Sequence, residues 1–395
     1  MSFRENFTPI LIFATSRLII VVVAYLAVAF LGHTMPPHAH HMRGTENLLL
    51  DVFGSRWDTA FYVNIVEEGY RNEGEMPSVA FFPLLPLLMG LLAPLVGDVV
   101  VAGILIANGA LLGASLLFYR LVADQWGEPI AQRALWYLLI FPTAFFGSAI
   151  YTESLFLLAS VGALFSARRG NWAAAGIFAV AAGLTRLIGL IVAPMLVLEW
   201  LRQRREAEKS GEWHRQETGH SHPGPPILQP GLAVLAAPAG LLAYMIYLWR
   251  AFGEPLAFAH ASAAWNRVPR PPGQVIVALL QRPAGGWVQA LRAGRLPLLN
   301  DWIDLGMVLF FLALALVLLY RQQWAEGIFV WLGVMLALNS GLLMSQRRYV
   351  CVLFPVYVLL AQWGHRPWAD RAITGLFLGG QTLFVILFAL WYWVA

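Results

Sequence analysis

Residues 56–86 read RWDTAFYVNIVEEGYRNEGEMPSVAFFPLLP. This is the longest well-polarised run before residue 200, and hydrophobic segments long enough to cross a bilayer flank it on both sides. It opens on the aromatic–acid pair Trp57-Asp58. An amphipathic stretch then runs to a stop at Gly69-Tyr70, followed by an acidic loop and the proline-punctuated run Phe81-Phe82-Pro83-Leu84-Leu85-Pro86. In a membrane protein such a segment belongs at the water–lipid boundary, and the chemistry is expected there.

Composition sets the class. The 395 residues are 59% hydrophobic and 12% charged, against roughly 45–50% and about 25% in soluble domains. That shortfall in charge points to an all-α polytopic membrane protein. The first apolar segment, Phe7–Leu31, is too long for a secretory signal and lacks a small-residue cleavage site before His33, so it is expected to remain as a transmembrane helix. The net charge of +4 is modest, Lys209 is the only lysine, and no basic run interleaves with aromatics, so nucleic acid is not an expected partner. The single cysteine, Cys351, excludes a disulfide within the chain.

A spanning helix needs about 20 mostly apolar residues. Candidate spans fall at 8–32, 99–119, 131–147, 150–168, 172–186, 188–203, 229–250, 300–320, 324–343, 348–363 and 371–394, about eleven in all, within a single transmembrane domain over 1–395. Pro142, Gly147, Gly189 and Pro194 interrupt them, and broken helices are tolerated beside a cavity. Segment 82–96 is the ambiguous one. If it lies flat, Arg120, Arg133, Arg168, Arg169, Arg202, Arg204, Arg205, Arg321, Arg366 and Arg371 all fall on one side, which the positive-inside rule makes the cytoplasm. The reading is therefore N-terminus inside, a first extracytoplasmic loop over 33–98 with two juxtamembrane helices (57–70 and 82–96), and a cytoplasmic linker over 204–228. An extracytoplasmic loop follows over 251–298. That last loop carries Arg267, Arg270, Arg282, Arg292 and Arg295 against the rule, at a length where the rule loses force.

Charges at the outer ends of helices are the candidate site. Asp58 suits either a general base toward an acceptor hydroxyl or the N-cap of the amphipathic helix that starts there. Arg347 and Arg348, in SQRRY, have guanidinium forks that match phosphate oxygens, or they anchor to headgroups. Arg186 is a second phosphate contact or the ion-pair partner of Glu153. His33, His38, His40 and His41, with Asp51 behind them, lack the fixed geometry of a metal site. His214, His220 and His222 are set still more loosely. No metal or other cofactor is expected.

The pattern RWDTAFYVNIVEEGY followed by FFPLLPLL resembles the PIG-V mannosyltransferases, a branch of the GT-C membrane glycosyltransferases. FPTAFFGSAIYTESLFLLASVGALFSARRGNWAAAG at 141–176, LTRLIGLIVAPMLVL at 184–198 and RRYVCVLFP at 347–355 resemble the same family, in the same order. The resemblance implies a GT-C-like fold and an enzyme taking mannose from a polyprenyl-phosphate sugar on the outer side. By motif position Asp58 matches the base, Glu153 the acid of the family's Tyr-Thr/Ser-Glu-Ser motif, and Arg186 the arginine after its Leu-Thr. Trp57, Tyr151, Glu153, Arg186, Arg347, Arg348 and Tyr349 are then the substrate-binding set. The Arg-rich composition and polar linker look bacterial, which implies an inner-membrane location with the site facing outward and leaves the acceptor open among glycan, lipid and protein.

The expected activity is inverting transfer of mannose or another hexose to an acceptor hydroxyl, with the bilayer and the lipid-linked donor as partners. Two rivals share these residues: a lipid or solute carrier, and a GT-C transferase of a different sugar. The missing internal repeat counts against the carrier.

Overall fold

The computed structural model describes residues 3–32, 47–74, 76–209, 227–280, 292 and 296–394. All regular elements among them are helical. In chain order they are α1 (Phe3–Leu31), α2 (Leu48–Gly54), α3 (Thr59–Glu68), α4 (Leu84–Val96), α5 (Val99–Trp126), α6 (Glu128–Ile140), α7 (Glu153–Arg168), α8 (Trp172–Thr185) and α9 (Val192–Lys209). The second half adds α10 (Leu228–Phe252), α11 (Ala257–Ala261), α12 (Pro272–Leu280), α13 (Leu296–Tyr320), α14 (Trp324–Leu338), α15 (Gln346–Val350), α16 (Pro355–Trp363) and α17 (Pro367–Ala389). Short 3₁₀ turns cover Ser78–Ala80, Ala144–Ser148, Leu187–Ile191 and Ser262–Trp265.

Five of these helices are long and apolar enough to cross a membrane: Phe7–Leu31, Val99–Trp126, Leu228–Phe252, Leu299–Tyr320 and Pro367–Ala389. Other expected spans are shorter than the apolar runs suggested. Segment 131–147 is helical only to Ile140, and 150–168 only from Glu153. Segment 348–363 splits into α15 and α16, because Pro355 has no N–H to continue a helix and takes the first position of α16. The Tyr357 hydroxyl donates to the Cys351 carbonyl at 2.8 Å, one of the backbone acceptors at that break. The linker expected over 204–228 begins as helix, since α9 runs to Lys209, and ends where α10 starts at Leu228; 210–226 lie outside the described residues. In the loop expected over 251–298, α11 and α12 are ordered helices.

The two stretches expected to be juxtamembrane helices are helical, as α3 and α4. At about 1.5 Å per residue, the 13 residues of α4 reach roughly 20 Å, short of a hydrocarbon core about 30 Å thick. Gly97, at a φ of 81°, then turns the chain, and Asp98 caps α5 by accepting from the Val101 amide at 2.8 Å. The result is an α4–α5 hairpin. Leu85 and Met89 are buried in it, while Leu87, Leu91 and Leu95 stand exposed on the outer face.

The bundle has two chemically different ends. At one, Arg168 pairs with Glu326 and Glu199 and donates to Gln125, and Arg169 pairs with Asp124. There too Arg321 donates to Gln362, and Arg133 pairs with Asp370. Helices α7 and α14 both start or finish at this end, through Arg168 and Glu326. Their opposite ends, at Thr152 and at Leu336-Ala337, line a cavity. Arg133, Arg168, Arg169 and Arg321, among the loop arginines singled out in the sequence, thus gather about one α7 length from that cavity, roughly 24 Å at 1.5 Å per residue.

Packing in the middle relies on small residues. Helices α8 and α10 meet through Gly176, Gly183, Ala233, Ala237 and Gly240, where a methyl on Gly183 would overlap the Ala237 carbonyl and one on Gly240 the Val180 carbonyl. Small residues let backbones approach closely where lipid supplies no hydrophobic drive between helices. Gly183→Val is expected to lower the midpoint of thermal unfolding in detergent, at a cost of about 1–3 kcal/mol or more. Gly231→Ala, on the same α10 with open space at its Cβ, should leave the midpoint unchanged or slightly raised.

Candidate active site

The turn between α2 and α3 decides where Asp58 points. Arg56 is fully buried below it, pairing with Asp51 and donating to the carbonyls of Phe388 (3.0 Å) and Ala389 at the end of α17. A guanidinium there meets the unsatisfied carbonyls of a helix C-terminus. Trp57 takes a φ of 60°, unusual for a bulky residue, with its ring edge-on to Trp393 at 5.0 Å. The Tyr151 hydroxyl pins the turn, accepting from the Asp58 amide (3.3 Å) and donating to the Arg56 carbonyl (3.4 Å).

Asp58 occupies the N-cap position of α3 but does not cap it. A capping side chain needs extended backbone to fold back on the first amides, and Asp58 is helical, at φ −63° and ψ −15°. Its carboxylate turns to Arg348 instead, with Oδ2 accepting from Nη1 at 2.8 Å. The Arg348 side chain is 7% exposed and its Nε lies 3.4 Å from Glu153 Oε1. That same Oε1 accepts from Arg186 Nη2 at 2.8 Å. Asp58, Arg348, Glu153 and Arg186 therefore form one alternating chain of charges. Glu153 sits in the first turn of α7, where the helix dipole favours an anion. The Glu153–Arg186 pair anticipated from the sequence is present.

The arginine doublet is divided by geometry. In the short helix α15, successive side chains point about 100° apart, and the two arginines take different partners. Arg348 faces the cavity. Arg347 is 0% exposed and turns into the bundle, where it bonds Asp304 through Nε (2.9 Å) and Nη2 (3.2 Å). Nη2 also donates to the side chain of Asn300 at 3.0 Å. The expectation of Arg347 as a phosphate ligand is corrected: it is a structural cation held by a buried carboxylate. Trp57 packs edge-on against Trp393, which lines the cavity, and does not itself line it.

The cavity measures about 360 Å³. Asp58, Tyr151, Arg186, Arg348 and Tyr349 line it, as expected, while Glu153 lies behind the wall and positions two of the arginines. The broken segments around 141–152 and 186–191 supply Tyr151, Thr152, Arg186, Leu187 and Ile188, in agreement with the proline and glycine breaks read from the sequence. Phe81, Phe82, Phe258, Trp265, Leu336 and Met344 make the rest largely apolar. Asp58 is the only carboxylate lining it among the described residues.

Sequence reasoning missed Tyr62, Thr152, Thr185, Trp265, Trp393 and, above all, Arg267. The arginines that stood against the charge rule in the 251–298 loop were the available signal. Arg186, Arg267 and Arg348 all approach the Tyr349 ring, at 5.3, 5.2 and 5.2 Å from its centroid. Burial works against ionising that phenol, but Arg267, Arg348 and Arg186 outweigh it and hold its pKa below the ordinary value. Of the metal reading, His33, His38, His40 and His41 lie outside the described residues, and no three potential ligands gather among those that are described.

These helices and this cavity define an integral membrane protein with an acid–arginine site at one end of its bundle. Residues 36–206 match the family model Mannosyltransferase (PIG-V). It is similar to GPI alpha-1,6-mannosyltransferase 2 of Mus musculus, 35% identical over 172 residues that make up 40% of this chain and 34% of that one. The Cricetulus griseus protein of the same name is 33% identical over the same shares. The chain thus spans about a third of the length of the curated relatives it matches. The Archaeoglobus fulgidus oligosaccharyltransferase, solved in complex with Zn and sulfate, superposes with a TM-score of 0.43 at 13% identity. It covers 95% of this chain and 53% of that one, a likeness too slight to bear on mechanism.

The structural role of Arg347 is open to test. Asp304→Ala strands a buried guanidinium and is expected to cost about 3–5 kcal/mol, whereas the double exchange Asp304→Leu with Arg347→Met should recover most of it. Thermal unfolding of both variants in detergent checks this. A double variant as unstable as the single would show that the pair does more than balance charge.

Proposed function

We propose that the protein is an inverting GT-C-type glycosyltransferase, moving mannose from a polyprenyl-phosphate donor to an acceptor hydroxyl. The observation that carries this reading is Asp58 as the one carboxylate on the cavity wall among the described residues, hydrogen-bonded to Arg348 beside an apolar flank. A base and a phosphate-binding cation then share one space with room for an isoprenoid chain. A double displacement needs a second carboxylate placed as nucleophile. Glu153, the nearest candidate, is tied to Arg186 and Arg348 behind the wall.

In the step we propose, the acceptor oxygen bonds to the anomeric carbon as its proton passes to Asp58. The bond from that carbon to the phosphate oxygen breaks, and the electron pair leaves with the lipid phosphate. Arg348 and Arg186 receive the charge; a preorganised donor at such a position is commonly worth roughly 3–4 kcal/mol. Tyr151 holds the Asp58 backbone in place for proton transfer. The arginine-rich opposite end supports an extracytoplasmic cavity by the positive-inside rule. Mannose as the sugar is supported by the family model that residues 36–206 match.

Asp58 makes no capping bond, but its charge pairs with the buried Arg348, so Asp58→Asn should lower the unfolding midpoint modestly, Glu153 still facing that guanidinium. Transfer from a radiolabelled polyprenyl-phosphate mannose should fall by roughly 10²–10⁴-fold, the usual worth of acid–base catalysis. Near wild-type turnover in this variant would remove Asp58 from the mechanism. Uptake of the labelled lipid without transfer to any acceptor would favour a carrier.

A further inference from the structure

The cavity holds more positive charge than its own acids balance. Arg186 is paired with Glu153, and Arg348 with Asp58 and Glu153. Arg267 has no carboxylate partner among the described residues. Its hydrogen bonds go to neutral groups, the Ser340 hydroxyl from Nη1 at 3.3 Å and the Met344 carbonyl from Nη2 at 3.4 Å. Both lie at the long end of the useful range. Three guanidiniums and two carboxylates leave the site one positive charge in excess.

The segment carrying Arg267 is built to present it. Asn266 turns the chain at a φ of 56° after the Ser262–Trp265 turn. The Arg270 amide then donates to the Asn339 carbonyl at 3.1 Å, latching the segment to the turn after α14. Trp265, one turn back, packs edge-on against Phe61 and Phe81, both at 5.7 Å, so the same segment also closes the apolar wall. Arg267 and Arg348 thus stand at equal distance from one aromatic ring.

We propose that Arg267 binds the donor's phosphate together with Arg348 across the Tyr349 ring, exchanging its long bonds to Ser340 and Met344 for phosphate oxygens. This rests on the donor class of the proposed function and adds a residue outside the family-matched stretch. A phosphodiester carries one negative charge, which is the charge the cavity lacks. Arg348 is already held by Asp58 and Glu153, so Arg267 is the guanidinium that can turn to a ligand without stranding a carboxylate.

The test uses full-length protein in detergent and two probes sharing one chain: farnesyl methyl phosphate, a singly charged phosphodiester, and farnesol. Arg267→Gln is expected to weaken the phosphodiester by about 10–100-fold, the loss of one charge-assisted contact, while farnesol affinity and the unfolding midpoint stay as they were. Arg267→Lys should fall between, and Arg270→Gln, three residues on, should change neither. In transfer assays KM for the donor should rise in Arg267→Gln by a similar factor, with kcat at saturating donor within about threefold. Unchanged phosphodiester affinity in Arg267→Gln, or an equal loss of farnesol, would overturn this inference alone. A wild-type protein that transfers no sugar and does not prefer the phosphodiester to farnesol would instead take down the proposed function with it.

Discussion

The structure depends on a chain of four charges, Asp58–Arg348–Glu153–Arg186, of which Arg348 and Glu153 are buried and Asp58 and Arg186 partly exposed. Ions withdrawn from water are costly unless each finds an opposite charge in good geometry. Here each carboxylate has at least one guanidinium within 2.8 Å. The four residues come from the turn before α3, from α15, from the first turn of α7 and from the break after α8. Holding them together therefore joins the N-terminal helices to the C-terminal ones at the cavity. Stability and site are the same contact.

Around that contact, regular helix gives way. Backbone that leaves the helical pattern at membrane depth is tolerated where it lines a cavity or is buried in protein. The breaks at 141–152, 186–191 and 351–354 all lie beside the charges. Elsewhere the interface between α8 and α10 is closed by glycine and alanine, which hold the wall rigid without polar groups. A second buried pair, Arg347–Asp304, anchors α15 to α13 from behind. Arg348 is aimed by that anchor as much as by its own partners, since the two side chains leave adjacent positions of one short helix.

Much of the site could be read in the residues themselves. Asp58, Tyr151, Arg186, Arg348 and Tyr349 were singled out from charge at the ends of apolar runs and from a motif resemblance, and all five meet at one cavity. The anticipated Glu153–Arg186 pair follows from the cost of either ion alone in an apolar setting. The failures share a cause. Arg347 and Arg348 are indistinguishable as a doublet until a helix sets them about 100° apart. Arg267 lies in a segment whose sequence shows neither periodicity nor motif, and the turn at Asn266, the packing of Trp265 and the bond from the Arg270 amide to Asn339 bring it to the cavity.

By itself the sequence determined that the chain is helical, membrane-embedded and broken near its charges, because hydrophobic content, proline and glycine act locally and through composition. It also led to the expectation that the loop arginines share one side, since charge in short loops tends to follow the side of the membrane. Only the tertiary structure decided which charge pairs with which, that Asp58 serves Arg348 and leaves α3 uncapped, and that Arg347 turns inward to Asp304. Those choices depend on direction and distance between elements far apart in the chain. Side-chain direction is set by helix rotation and by buried counter-charges, and neither can be read along a single segment.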